Sequence, residues 1–367
     1  MNDPVLRPRS ETLGELLDEI AAATRSLAVI CRDERLDYAA LKARADGFAR
    51  ALLAAGVRRG DRVALLVTNR TEWLVAAFGA AKIGAVTAAI STFSTPRELG
   101  WMLEHCGASV LVTLDAFRGR SFLGSLCDLC PELVSSAPGT LRSVKLPALH
   151  TVVAVQGGPA TGVFSLADFV ARGAAVSASE LAAMQRAVRP GDICYILYTS
   201  GSTAAPKGVT LAHGPLIANA FDIGERMHLT AADRVWLAVP LFWSFASANA
   251  VPALMTHGGS IVLQEGFEPG EAIALIERER CSVYYGMANM ARAMREHSSY
   301  LRRRLRAMRT GLTIGPPEDI AMTIDVLGAA ELCNVYGATE TYGNCAVTDA
   351  HGSLDSGCTL RACRFPV

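Results

Sequence analysis

The sequence predicts an α/β fold in which two parallel-rich sheets are wrapped by helices, with room for a small β subdomain. Two observations lead there. Short runs that are apolar throughout recur along the chain, and helix-length segments separate most of them. Strands buried on both faces read as continuous apolar runs, and parallel neighbours need a crossover that is usually helical. The third observation is scale. The chain has 367 residues, 51% hydrophobic and 19% charged, enough for two or three compact units sharing large cores.

Taken in order, residues 1–149 form the first α/β unit together with an N-terminal segment. "RVALLVTN" (62–69) is a strand, and "TEWLVAAFGAAKIG" a helix that Thr71 caps. "AVTAAIS" is a strand. "TPRELGWMLEHCG" is a helix with Pro96 early and Gly107 at its end, and "ASVLVTL" is a strand. Residues 73–90 are apolar enough to suggest a membrane span. Lys82 and Gly84 interrupt them and the second part is β-branched, so a core helix followed by a buried strand is the reading. Residues 117–150 break the alternation and read as a connection between two halves.

The second unit is 150–349. Its strands are "ICYILYTS", "RVWLAVP", "SIVLQ", "CSVYYGM", "TGLTIG" and "ELCNVYG". Its helices are "SANAVPALMTHG", "PGEAIALIERER", "ANMARAMREH" and "EDIAMTIDVLG". Residues 350–367 form an atypical tail. In sheets of this kind ligands bind in the crevice beyond the carboxyl ends of the strands.

Composition narrows the partners. Net charge is zero and the pI is near 7, so nothing favours a nucleic acid or an anionic surface. The basic run "LRRRLRAMR" (301–309) reads as a solvated helix face. The opening "MNDPVLRPRSETL" has an acid, two prolines and no apolar core, so it is no secretory signal. The ten cysteines are scattered, and their one close pair, Cys127 and Cys130, lacks the second pair or nearby histidines a zinc site needs. The absence of a disulfide framework points to the cytoplasm.

One loop carries chemistry. Residues 199–204 hold four hydroxyls and a glycine, and Lys207 follows. Short hydroxyl and backbone donors without bulk suit a polyphosphate, to which a lysine adds a point charge. The spacing is not that of the common P-loop.

"YTSGSTAAPKGV" resembles the phosphate loop of the adenylate-forming superfamily, which includes acyl- and aryl-CoA ligases, luciferases and peptide-synthetase adenylation domains. "NVYGATET" (334–341) resembles that family's second signature, and "TGLTIGPPED" (310–319) its adenine-binding strand and turn. The early "DYAALKARADGFARALLAAGVRRGDRVALL" is similar to the family's opening. The likeness runs to about Asp349, so the fold it implies is the large N-terminal domain of an adenylate-forming enzyme.

The resemblance implies two steps. A carboxylate attacks the α-phosphate of ATP to give an acyl-adenylate and pyrophosphate, and a thiol, often that of coenzyme A, then takes the acyl group and releases AMP. Carried onto this chain, Thr199, Ser200, Gly201, Ser202, Thr203 and Lys207 hold the outer phosphates. Gly315, Pro316 and Pro317 flank the adenine, with Asn334, Val335, Tyr336 and Gly337 opposite. Thr339 holds the α-phosphate, and Glu340 with Thr199 holds Mg²⁺. Lys207, Thr339 and Glu340 are thus the implied catalytic residues. In-line displacement at phosphorus is mostly positioning and charge neutralisation, and a carboxylate beside a triphosphate makes sense with a cation between them.

For the acid, the resemblance implicates Trp243, Ser244 and Phe245 in "PLFWSFASANA", then Tyr285, Gly286 and Met287, and Gly337 with Ala338. Many relatives have a histidine where Trp243 stands. The indole either walls the pocket, lies on the adenylate or is a plain core aromatic. Amino-acid-activating relatives usually carry an aspartate in this segment, and "WSFASAN" has none. A buried ammonium without a partner is costly, so an uncharged aryl, alicyclic or fatty carboxylate is expected.

The family continues into a small mobile domain with a catalytic lysine. This sequence stops at Val367, its last stretch departs from the family pattern, and no lysine follows Lys207. The expectation is therefore a large domain alone, able to adenylate but incomplete for thioester formation. The alternatives are a stand-alone adenylating protein with a separate partner, and a non-catalytic nucleotide-binding remnant. A homodimer stays open.

Overall fold

The computed structural model describes residues 7–156, 161–199 and 206–352. Two large sheets form the molecule. The seven-stranded sheet runs Lys207–Ala212, Ile193–Thr199, Val86–Ala89, Arg62–Leu66, Val110–Thr113, Thr151–Ala154, Val163–Ser165. All its neighbours are parallel except the edge pair Ile193–Thr199 and Lys207–Ala212. The eight-stranded sheet runs Ala346–Val347, Glu331–Tyr336, Thr310–Thr313, Val283–Tyr285, Arg234–Leu237, Ser260–Leu263, Leu27–Cys31, Glu34–Asp37. Only its two edge pairs are antiparallel.

Sheet membership does not follow the division at 149/150. Leu27–Cys31 belongs to the eight-stranded sheet, whereas Ile193–Thr199 and Lys207–Ala212 complete the seven-stranded one. Residues 114–150 are an excursion rather than a link between halves. They form a small hairpin, the helix Phe122–Leu129 and a 3₁₀ turn, then re-enter the same sheet at Thr151–Ala154. Chain pattern gives strands but not partners, because partner choice depends on contacts distant in sequence.

Local chemistry accounts for the helices that cover the sheets. Thr95 and Glu98 form a reciprocal capping box before Pro96, and Gly107 ends that helix in the left-handed region, φ 57°. Every residue of the helix Thr71–Lys82 except Glu72 is buried. Thr71 is its first residue and not its cap. Arg70 holds the cap position in extended geometry, because its guanidinium reaches Glu265. Lys82 is fully buried and joins three helices by pairing with Asp18 at 2.5 Å and Asp46 at 2.9 Å. The predicted helix over 247–258 is instead a π-turn, Phe245–Ala250, leading into Val251–Thr256. Pro252 has no N–H to return to Ala248, so the ladder shifts frame there.

Two other expectations change in detail. Cys127 lies in the helix Phe122–Leu129, while Cys130 is buried and accepts a hydrogen bond from Ser143 Oγ at 3.3 Å. The basic run is not a continuous helix face. Only Arg302–Leu305 forms a 3₁₀ turn, and Arg309 turns inward to Asp233 (2.6 Å) and Glu331 (2.7 Å). No helix among the described residues is long and apolar enough to cross a membrane.

Asp233 ties the amino ends of three strands. It accepts from Arg309, from Ser282 Oγ at 2.7 Å and from Thr230 N at 2.8 Å. Burial opposes its ionisation, but these donors outweigh burial and hold its carboxyl below the ordinary value of 3.8. A carboxylate whose folded value is depressed stabilises the fold above its unfolded value, and the contribution is lost as pH falls through the folded value. Asp233→Asn should cost about 3 kcal/mol at pH 7, since it leaves Arg309 half-buried with one partner fewer. The gap between parent and variant should narrow below pH 4. Urea unfolding at pH 7, 4 and 3 measures both, and a gap constant with pH would contradict the assignment.

Candidate active site

Both sheets direct the carboxyl ends of their parallel strands toward one crevice. Residues 68–69 follow Arg62–Leu66, 92–93 follow Val86–Ala89, and 117–118 follow Val110–Thr113. From the other sheet, 238–243 follow Arg234–Leu237, 265–267 follow Ser260–Leu263, and 287–290 follow Val283–Tyr285. These six loops enclose a cavity of about 250 Å³. Its exposed wall is mostly apolar, with five aromatic rings and two thioethers, and it also holds Arg118, whose guanidinium lies over Phe117. Phe93 meets Phe242 edge-on at 5.4 Å, and Phe242 meets Trp243 at 5.9 Å and 83°. Phe93 and Trp243 stay 60% and 43% exposed, an unusual allowance for large apolar side chains that marks the cavity mouth.

One buried amide fixes the cavity wall. Asn69 Nδ2 donates to Val239 O at 2.9 Å, and Leu241 N donates to Asn69 Oδ1 at 2.8 Å. Asn69 follows a strand of one sheet and holds the segment that follows a strand of the other. The cavity also carries one carboxylate, Glu265. Thr68 Oγ1 donates to it at 2.7 Å, Arg70 Nε lies at 3.2 Å, and Arg32 pairs with its other oxygen. Its charge is therefore met within the protein.

The residues implied for the nucleotide lie beside this cavity along the edge of the eight-stranded sheet. Asn334 is buried, and its Nδ2 donates to Gly315 O at 3.3 Å, so the turn 314–317 is tied to the neighbouring strand. Pro316 and Pro317 are exposed, Val335 is buried, and Tyr336 is 63% exposed. The backbone at Gly311, φ 152°, leaves no room for a side chain, since a Cβ would sit 2.0 Å from Tyr284 O. Gly337 is equally constrained, because a Cβ there would lie 2.2 Å from Asn344 Cα. Ala338 and Glu340 are exposed, and Thr339 begins a 3₁₀ turn, Thr339–Thr341.

At the loop stem, Thr199 pairs with Lys207 across the antiparallel edge, and Lys207 is exposed. Ser200, Gly201, Ser202 and Thr203 lie outside the described residues. Below the stem, Tyr198 Oη donates to Met102 O and lies 3.1 Å from His105 Nδ1, and Trp101 stacks on His105 at 4.6 Å.

The pocket residues separate into two sets. Trp243 and Met287 line the cavity. Ser244 Oγ lies 3.2 Å from Thr339 Oγ1, which brings the acid segment against the nucleotide segment. Tyr285 belongs to the core. It is fully buried, faces Phe245 at 5.0 Å and donates to Asn249 Oδ1 at 2.6 Å. Asn249 and Asn219 both donate to Asn344 Oδ1, at 2.9 and 2.8 Å. Gly286 makes room for the Tyr284 ring, 2.5 Å from where a Cβ would stand. The sequence reading missed Asn69, Phe93, Phe117, Glu265 and Phe267. Their one shared signal is a place just after the carboxyl end of an apolar strand.

Residues 17–365 match the model of a family described as AMP-binding enzyme. YngI of Bacillus subtilis (strain 168), which carries the name of an acyl-CoA synthetase, is 31% identical over 349 residues, covering 94% of this chain and 64% of that protein. The mitochondrial medium-chain acyl-CoA ligase ACSF2 of Mus musculus is 31% identical over 341 residues, covering 90% and 55%. The crystal structure of the N-terminal domain of FACL13 from Mycobacterium tuberculosis superposes with a TM-score of 0.75 at 23% identity, covering 94% of this chain and 81% of that one. The chain thus spans between about half and two thirds of the length of the curated relatives it matches.

Asn69→Ala should leave Val239 O and Leu241 N without partners at a buried position. At about 1–3 kcal/mol for each orphaned group, the loss should be about 2–6 kcal/mol. Amide exchange should rise over residues 238–243 ahead of the neighbouring strands. Unchanged exchange there, with stability within about 0.5 kcal/mol of the parent, would remove Asn69 from this role.

Proposed function

The chain belongs to the AMP-binding enzyme family, and from that premise we propose that it converts ATP and a simple carboxylic acid into an acyl-adenylate and pyrophosphate at the crevice between its two sheets. The contact of Ser244 with Thr339 carries the reading. Ser244 adjoins Trp243 on the cavity wall, and Thr339 lies in the segment implied for the α-phosphate. An acid held in the cavity therefore ends where the phosphorus to be attacked is expected.

The chemistry follows from placement. Tyr336 offers an exposed ring face and 314–317 a tied turn, together a slot for an adenine. Thr339 and Ser244 supply hydroxyls at the reacting end, and Lys207 supplies a positive charge on the loop side. Glu340 and Thr199 offer the hard oxygen donors that suit Mg²⁺, which when bound neutralises phosphate charge. These residues orient the two substrates, as in-line transfer requires.

The apolar wall supports an uncharged acid. Among the described residues lining the cavity, a substrate ammonium would find one carboxylate, Glu265, already engaged by Arg32 and Arg70. A cavity of about 250 Å³ suits a single ring or a chain of middle length, which agrees with the medium-chain ligases among the relatives. Coenzyme A is the proposed final acceptor in the longer relatives' reaction.

Mass spectrometry of the chain with ATP, Mg²⁺ and decanoate or benzoate should detect the acyl-AMP. Glu340→Gln should lower its formation about 10²-fold. Lys207→Ala should weaken ATP at least tenfold more than AMP, by the loss of one charge-assisted contact to the outer phosphates. Trp243→Ala should change the acid preference and spare ATP. Stable binding of amino acids in place of simple carboxylates, or equal loss of ATP and AMP in Lys207→Ala, would overturn the proposal.

A further inference from the structure

The basic run 301–309 has no part in the crevice. The 3₁₀ turn Arg302–Leu305 lies against the carboxyl end of the helix Pro269–Glu279, and together they open a cleft of about 570 Å³. Five arginines line it, Arg278, Arg280, Arg303, Arg304 and Arg306, with Glu277 and Ala307. The cleft sits ahead of Val283–Tyr285 and Thr310–Thr313, at the amino ends of the strands. The candidate active site is at their carboxyl ends, so the two are separate.

The five guanidiniums divide by role. Arg304 is held by Glu277 at 2.7 Å and Ser299 O at 2.9 Å, using Nε and Nη1 and leaving Nη2 free to donate. Arg278 uses Nε on Glu279 at 2.9 Å and keeps both terminal nitrogens. These two form a fixed wall. Arg280, Arg303 and Arg306 are exposed, and among the described residues none of the three enters an ion pair or donates a side-chain hydrogen bond. Arg280 also adopts the left-handed backbone, φ 54°, at the helix end where glycine is usual. That conformation costs a non-glycine residue stability and is found most often where the position serves a purpose.

Like charges gathered round one cleft repel one another, and an anion between them relieves that repulsion. Guanidinium forks match phosphoryl oxygens in pairs. Among the described residues no aromatic ring lines the cleft, so none of them would stack on a nucleobase. We propose that this cleft binds a phosphate-bearing polyanion, held by the fixed Arg278 and Arg304 and closed upon by Arg280, Arg303 and Arg306. The phosphate comes either from a free polyphosphate or from anionic lipid headgroups.

The test uses the Lys207→Ala chain, so that the phosphate loop adds little. One arm titrates tripolyphosphate by calorimetry. The other sediments the protein with vesicles of phosphatidylglycerol and phosphatidylcholine, against phosphatidylcholine alone. The combined variant Arg280→Gln, Arg303→Gln, Arg306→Gln should weaken binding at least tenfold with an unchanged thermal midpoint, and Arg303→Gln alone about threefold. Loss confined to tripolyphosphate assigns a free polyphosphate, and loss confined to the vesicles assigns headgroups. No binding in either arm, or binding that survives the combined variant unchanged, would overturn the proposal.

Discussion

The constraint on which the site depends is the need to satisfy backbone groups where parallel strands end. Both sheets deliver their carboxyl ends to one crevice, and the segments leaving those ends have no ladder to join. Asn69 solves this for the cavity wall with one side chain, serving Val239 O and Leu241 N from the opposite sheet. Asn334 meets the carbonyl of Gly315, and Asn219 meets that of Tyr342 while sharing Asn344 Oδ1 with Asn249. Amides suit this work because each offers a donor and an acceptor without charge. Where the supply stops, orphans remain. Among the described residues, seven buried side-chain atoms lack a partner, and three of them, Arg70 Nη1, Thr313 Oγ1 and Asn344 Nδ2, lie in segments that border the crevice.

Much of the fold was legible because both signals behind it are local. Runs such as 62–66, 86–89 and 110–113 are apolar throughout, as strands buried on both faces must be. The capping box at Thr95 and the glycine stop at Gly107 were equally direct. Sheet membership was not legible. Nothing near Leu27–Cys31 indicates that its parallel neighbour is Ser260–Leu263, more than two hundred residues later. Thr71 misled because a hydroxyl before an apolar run is an ordinary cap, whereas here Arg70 is drawn to Glu265 by a contact no local pattern reveals.

The site was legible in part, and along the same line. The residues proposed for the nucleotide side, including Asn334, Gly337 and Thr339, came from motifs contiguous in sequence. The cavity is assembled from six separate loops, so its members share no spacing, and Phe93 or Phe267 could not be told from other loop aromatics. Tyr285 illustrates the converse. It sits in an expected wall segment, yet as the last strand residue it turns its ring inward to Asn249, while Met287, past the strand end and at the start of the next helix, reaches the cavity.

The proposed function needs two compartments that meet at Thr339, a polar one for the nucleotide and the largely apolar cavity for the acid. A crystal structure with an acyl-sulfamoyl-adenosine bound tests this most directly. The account places the adenine between 315–317 and Tyr336, the sulfamoyl group beside Thr339 and Ser244, and the acyl chain in the cavity against Trp243, Met287 and Phe93. An acyl chain that left this cavity empty and ran along another wall, or a nucleotide bound away from Tyr336, would contradict it.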